Sequence, residues 1–252
     1  MPFDPPVTTV LSHDDGPVTP DTLAVAVSLY NYARHVPQCL DSVLAQTHPS
    51  LELVLVDDAS DRDDSLAVAE AWLAAHKNRF ARALLVRHVR NEGLAAARNT
   101  AFTLARSDRI FVLDADNVLY PAALAKLDRA LRFSGRAAAY SQLELFGAAS
   151  GLGLADVWHP RFFEIGNYVD AMALIARETW TRVGGYTALH GWEDYDFWCK
   201  CVEAGLGAVF VPEVLCRYRV HASSMLRTES QAAYPELHPA MTLRHPWLRL
   251  FS

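Results

Sequence analysis

From residue 23 onward, short unbroken apolar runs alternate with longer stretches in which apolar residues recur at helical spacing. The runs at 23–29, 51–56, 83–89 and 110–113 read as buried strands, continuous in apolar character rather than alternating. Between the first two, Val36, Leu40, Val43 and Leu44 share one side of a helix that Pro49 stops. A second helix over 63–76 opens on acidic residues, as the helix dipole favours. A third, rich in alanine, runs from Gly93 to about Arg106, and a fourth carries Pro121 at its first position, where a missing N–H costs nothing. Strand and helix repeat at roughly 25–30 residues, the rhythm of right-handed parallel crossovers. The expected fold is α/β: a Rossmann-like, mostly parallel central sheet flanked by helices in a single domain.

Beyond residue 133 the rhythm changes. Residues 137–146 and 169–176 look like strands, and the Gly- and Ala-rich stretch between them, 147–166, reads as a mobile connection. A short helix ending at Gly184-Gly185, a helix over 193–204 and a strand over 208–211 follow. The expected boundaries are a flexible arm at 1–22, whose first 20 residues hold five prolines, a domain at 23–221 with halves 23–133 and 134–221, and a tail at 222–252.

Composition narrows the function classes. The 252 residues are 51% apolar and 21% charged, enough for one sizeable core. With 23 basic against 29 acidic residues the net charge is −6, and no basic stretch offers a footprint for nucleic acid. No apolar run approaches the roughly 18 residues that span a bilayer, and the first residues lack a signal-peptide pattern. A cytoplasmic protein without a transmembrane segment is expected. Cys39, Cys199, Cys201 and Cys216 do not form a disulfide framework and are expected as free buried thiols.

The candidate chemistry lies at strand ends. The first strand runs into Ser28-Leu29-Tyr30-Asn31-Tyr32, without the glycines of a dinucleotide fingerprint, and no P-loop is present. Asp57-Asp58 closes the second strand; such carboxylates accept from a ribose or a base, or merely cap a turn. Asn91-Glu92-Gly93 opens the helix bearing Arg98 and Asn99, where N–H groups and a guanidinium suit a phosphate, or where a glycine turn and a surface arginine suffice. Asp114-Ala115-Asp116 puts two carboxylates one residue apart behind a buried strand, a pair that a divalent cation with a phosphate would relieve. Trp192-Glu193-Asp194 starts a helix, where acidic residues suit the dipole but a carboxylate can also take a proton and an indole can face a sugar. Alternation sets Arg217, Arg219 and His221 on one side of a strand-like segment.

Taken in order, these stretches resemble family 2 of the inverting nucleotide-sugar glycosyltransferases, which have the A-type fold. The likeness rests on Val25–Asn31, 40–47, 56–60, Asn91–Asn99, 113–117, Gly184-Gly185-Tyr186 and 191–196, and covers about 25–221. It implies a metal-dependent transfer of sugar from a nucleoside-diphosphate sugar, with UDP the expected nucleotide, to a hydroxyl acceptor (a glycan, glycolipid or small molecule). Residues 23–133 would then bind nucleotide and 134–221 acceptor. Ser28, Tyr30, Asn31, Asp57, Asp58, Arg98, Asp114 and Ala115 would line the nucleotide site, and Asp116, with His221, would hold Mn²⁺ or Mg²⁺. Asp194 would be the general base, Glu193 would help position the acceptor and Trp192 would contact it. The first strand lacks the usual Pro-Thr before Tyr-Asn, and Asn117 stands where a further aspartate is common. A membrane-embedded polymer synthase is disfavoured; a peripheral membrane contact and a homodimer are left open. The rival readings are a sugar-nucleotide pyrophosphorylase and an inactive sugar-nucleotide-binding accessory protein.

Overall fold

A computed structural model describes residues 6–221 and 229–250. In chain order its strands are β1 (Val7–Asp14), β2 (Leu23–Leu29), β3 (Leu51–Asp57), β4 (Arg82–His88), β5 (Arg109–Asp114), β6 (Val118–Leu119), β7 (Ala138–Gly147), β8 (Gly151–Leu152), β9 (Ala173–Ala176) and β10 (Ala208–Val220). Its helices are α1 (Val36–Leu44), α2 (Ser65–His76), α3 (Leu94–Leu104), α4 (Ala123–Ser134), α5 (Arg177–Val183), α6 (Glu193–Glu203) and α7 (Glu229–Arg244). The strands form one sheet in the order β1-β4-β3-β2-β5-β9-β7-β10-β6, with β8 beside β7. This is the mixed, mostly parallel central sheet flanked by helices that the sequence predicts.

The side-chain alternation of β2 explains the layering. Leu23, Val25, Val27 and Leu29 face one core with α1, α2 and α4, while Ala24 and Ala26 face the other with α3. Small residues on that second face let the alanine-rich α3 lie close, through Ala95, Ala97 and Ala101. Farther along the same core, Phe197 and Trp198 of α6 and Leu237 and Met241 of α7 complete the packing. Burying each large side chain contributes about 1.5–3 kcal/mol.

Strands β4, β3, β2 and β5 are parallel, and β2 lies between β3 and β5. The chain therefore winds outward in both directions from β2, which opens a crevice at the carboxyl ends of β2 and β5. Strand β9 then runs antiparallel to β5, bringing its amino end to that same edge.

Several expectations change. Residues 7–14 of the presumed loose arm form β1, antiparallel to β4, with a bulge between Thr9 and Leu11. Helix α4 starts at Ala123, so Pro121 precedes the helix rather than opening it. The strand expected over 169–176 is only Ala173–Ala176, and the one expected over 208–211 continues to Val220, paired with β7 along its length. The 147–166 stretch contains β8 and a 3₁₀ turn at Pro160–Glu164. The tail from 229 contains α7; residues 1–5, 222–228 and 251–252 lie outside the described residues. All four cysteines are free and buried, as expected.

Candidate active site

The crevice is a cavity of about 1290 Å³, larger than most small-molecule pockets and roomy enough for two substrates. Ser28, Tyr30 and Asn31 line it from the end of β2, and Asp114 and Asp116 from the end of β5. Trp192, Glu193 and Asp194 line it from the start of α6. The structure thus brings together most of the residues singled out by sequence. Asp57 and Ala115 are fully buried and do not line it.

On the floor, the polar groups are largely committed to each other. The Asp58 carboxylate accepts from the N–H groups of Glu92 and Gly93, both at 2.8 Å, and from His88 Nδ1 at 2.6 Å. His88 Nε2 in turn meets Thr100 at 2.9 Å. Those two N–H groups are therefore spent on Asp58, so the phosphate-cradle reading of this loop does not hold for them. Asp57 accepts from the Ser60 N–H at 3.2 Å and lies near Arg87, while burial raises its pKa. Asn31 adopts φ of 58° and its Oδ1 accepts from the N–H groups of Asp61 and Arg62, which ties the β2 end to the loop after β3. Ser28 differs: the residue lines the cavity, while its hydroxyl is itself buried and has no protein partner.

Arg98 is buried and donates through Nη2 to both oxygens of Asp114, at 3.0 and 2.9 Å. Burial is the largest influence and opposes the guanidinium charge, but Asp114 together with Tyr186, Asp194 and Glu193 outweighs it and raises the arginine's pKa. The guanidinium also lies 5.4 Å from the Tyr186 ring centroid. Tyr186 is held by Asn99, which accepts the Tyr186 N–H at 2.8 Å and donates to its carbonyl at 2.9 Å. Gly185 makes this possible: its φ is +73°, and a Cβ there would stand 2.6 Å from Asn99 Oδ1.

Asp116 is buried, and burial together with the Asp114 charge raises its pKa against an opposing His221. Asp116 Oδ2 lies 3.0 Å from His221 Nε2, at the far end of β10. No group of three or more His, Cys, Asp or Glu side chains among the described residues forms a ready metal cage. Asp116 and His221 supply two donors, which fits Mn²⁺ or Mg²⁺ of the kind that completes its shell with phosphate oxygens and water. Arg217 and Arg219 share a side of β10, both stacked on Phe146, and Arg219 donates to the Asp116 carbonyl at 2.8 Å.

At the start of α6, Asp194 has a pKa pushed up to about 7 by burial, with the Asp170 charge adding and Arg98 opposing. Glu193 turns back on its own helix start and accepts the Gly191 N–H at 2.7 Å. Trp192 packs edge-on against Tyr234 of α7. Sequence reading missed Asp170, which lines the cavity with a pKa raised to about 6 by burial. It also missed His88 beneath Asp58 and Asn167, whose Nδ2 donates to Asp194 Oδ2 at 2.9 Å. Leu152, Leu154 and Ile165 add an exposed apolar rim.

The pattern described as Glycosyl transferase family 2 matches residues 24–190. Among curated proteins the chain is 24% identical over 213 residues to EpsE of Bacillus subtilis (strain 168), named as a glycosyltransferase, covering 81% of this chain and 75% of EpsE. It is 31% identical over 106 residues to the hyaluronan synthase of Streptococcus pyogenes, covering 42% of this chain and 25% of that one. The chain thus spans only a part of some relatives. Among solved structures, S. aureus TarS 1-349 in complex with UDP-GlcNAc superposes with a TM-score of 0.72 at 16% identity, over 88% of this chain and 65% of that one. The mannosyltransferase PcManGT from Pyrobaculum calidifontis, in complex with GDP-Man and Mn²⁺, gives 0.67 at 24% identity, over 92% and 66%. At these identities the structural likeness speaks for the fold.

Proposed function

The chain belongs to glycosyl transferase family 2, and from that premise we propose that it is a metal-dependent inverting glycosyltransferase with Asp194 as general base. One observation carries the reading: Asp116, after β5, and Asp194, at the start of α6, line the same cavity, one beside His221 and the other free of any cationic hydrogen-bond partner. A leaving nucleoside diphosphate and an attacking hydroxyl need that division of labour.

The donor would lie along the carboxyl ends of β2 and β5. Ser28, Tyr30 and Asn31 would line the nucleotide from the end of β2. Asp58 shapes the loop at 91–93 and the Arg98–Asp114 pair fixes the floor beneath the diphosphate. Asp116 and His221 would hold Mn²⁺ or Mg²⁺. Bound there, the cation supplies positive charge against the departing diphosphate. Asp194 takes the proton of the acceptor hydroxyl as its oxygen attacks the anomeric carbon from the opposite face, and the general base contributes about 10²–10⁴-fold. A pKa near 7 suits a base working near neutrality. Trp192 offers its indole to the acceptor, with Glu193 holding the turn that presents it. The rim over 151–165 would exclude water while the donor is bound.

The neighbours' ligands choose the first probes. Thermal shift with UDP-GlcNAc and GDP-mannose, with and without Mn²⁺, should show metal-dependent stabilisation by one of them; at 100 times its dissociation constant a ligand adds about 2.7 kcal/mol. Stabilisation by neither nucleotide sugar nor its free diphosphate, with metal present, counts against the reading.

A further inference from the structure

The segment between β8 and β9 does more than wall the cavity. Asn167 Nδ2 donates to Asp194 Oδ2 at 2.9 Å, and Asp194 Oδ1 accepts the Tyr195 N–H at 2.9 Å. The other end of the carboxamide is fixed too, since Asn167 Oδ1 accepts the Val169 N–H at 3.3 Å. With its oxygen committed to a donor, the amide must turn its NH₂ toward the carboxylate. A single backbone bond would leave the carboxylate plane free to swing, because the terminal torsion of an aspartate is soft. The second bond removes that freedom while each oxygen keeps a lone pair for the cavity.

We propose that Asn167 is a positioning residue for Asp194: its neutral amide fixes the plane of the carboxylate toward the acceptor without cancelling the charge that makes it a base. The choice of a neutral donor matters. An arginine or lysine in the same place would hold the carboxylate as firmly, but it would also stabilise the anion strongly and weaken it as a proton acceptor. The inference rests on Asp194 being the base. The charged and titratable groups facing Asp194 are Asp170 from the same segment, Arg98 from α3, Glu193 and the Cys199 thiol from α6 itself, and the Tyr186 and Tyr218 phenols. Asp170 is negative and Asn167 is a donor, so removing each must act in opposite directions.

The test is a carboxyl-carbon NMR titration of the metal-free protein, with the Asp194 resonance identified by its loss in Asp194→Asn. Asn167→Ala should raise the Asp194 midpoint by about one pH unit, since it removes a hydrogen bond to the charged form. Asn167→Asp, which keeps the shape and adds a charge, should raise it further, and Asp170→Asn should lower it. Turnover of UDP-GlcNAc or GDP-mannose, whichever donor the protein uses, should fall about 10-fold in kcat in Asn167→Ala with donor KM nearly unchanged. An unchanged Asp194 midpoint in both folded Asn167 variants overturns the inference; if the alanine variant fails to fold, the isosteric aspartate variant decides. A wild-type turnover in Asp194→Asn would instead refute the base reading, and the titration outcome would stand apart from it.

Discussion

The floor of the cavity and its wall at the start of α6 hold the same kinds of residue in opposite electrostatic states. On the floor, Asp58 is gripped by His88 and two backbone N–H groups, and Asp114 by the fork of Arg98. At the far end of the sheet the fully buried Glu52 is treated the same way, with Arg82, Ser107 and the Arg106 N–H around it. Along the α6 wall, Asp170 and Asp194 interact, with raised pKa values and only neutral donors in hydrogen-bond contact. Saturated carboxylates stiffen a fold, whereas unsaturated ones store electrostatic strain that a substrate proton can relieve. The floor is therefore built for stability, while the wall keeps carboxylates that a proton can still relieve.

Substitutions can break that contrast. The largest effect expected is on the wall: Asp194→Asn should cut kcat by about 10²–10⁴-fold while leaving donor affinity close to wild type. Its melting temperature should not fall, because a like charge beside Asp170 has been removed. Turnover within a few-fold of wild type, or a marked loss of stability, would erase the distinction.

A floor residue should show the reverse. Arg98→Met leaves Asp114 without its partner, at a cost of about 3 kcal/mol, which in a chain of this size lowers the melting temperature by about 6–12 °C. If the cost is pairwise, adding Asp114→Asn to that variant should restore part of the loss. Asp58→Ala should be milder, about 2 kcal/mol, and should weaken donor binding because the 91–93 loop loses its anchor. Calorimetric melts and donor titrations read both.

The smallest effect is a pH trend. Asp194 and Asp170 have folded-state pKa values of about 7 and about 6, above their ordinary value of 3.8. Between those limits the native state binds more protons than the unfolded chain. The stability these two groups contribute is full below about pH 4 and is lost as pH rises through 6 to 7. If Asp194 is the proposed base, activity should move the other way, since it must then be charged to take a proton. Melting temperatures of the metal-free protein across pH 4–8 should decline with a slope that flattens in Asp194→Asn.

Much of the fold was legible because β2 to β5 are buried runs separated by helical periods, and their carboxyl ends named the crevice in advance. What was missed has physical reasons. Strand β1 needs only the open edge of β4, so its half-exposed residues carry no clean alternation, and the bulge at Thr9 breaks the period further. Asp170 and Asn167 stand before β9, and a residue ahead of a parallel strand would lie at the opposite edge. They reach the site only because β9 runs antiparallel to β5, a direction that an apolar run does not encode. Asp58 was found as a residue but not as a structural clamp, because its partners lie in the turn at Glu92-Gly93 and at the end of β4.

That clamp has a consequence for the cost of recognition. A loop that closed only around its ligand would have to lose conformational entropy at the moment of binding. Here the amide protons of Glu92 and Gly93 are already committed to a side chain that is itself braced by His88 and Thr100. The ordering is completed during folding, so those two amides should exchange slowly with solvent deuterium in the ligand-free protein, and a nucleotide binding as proposed would meet a surface that has little left to lose.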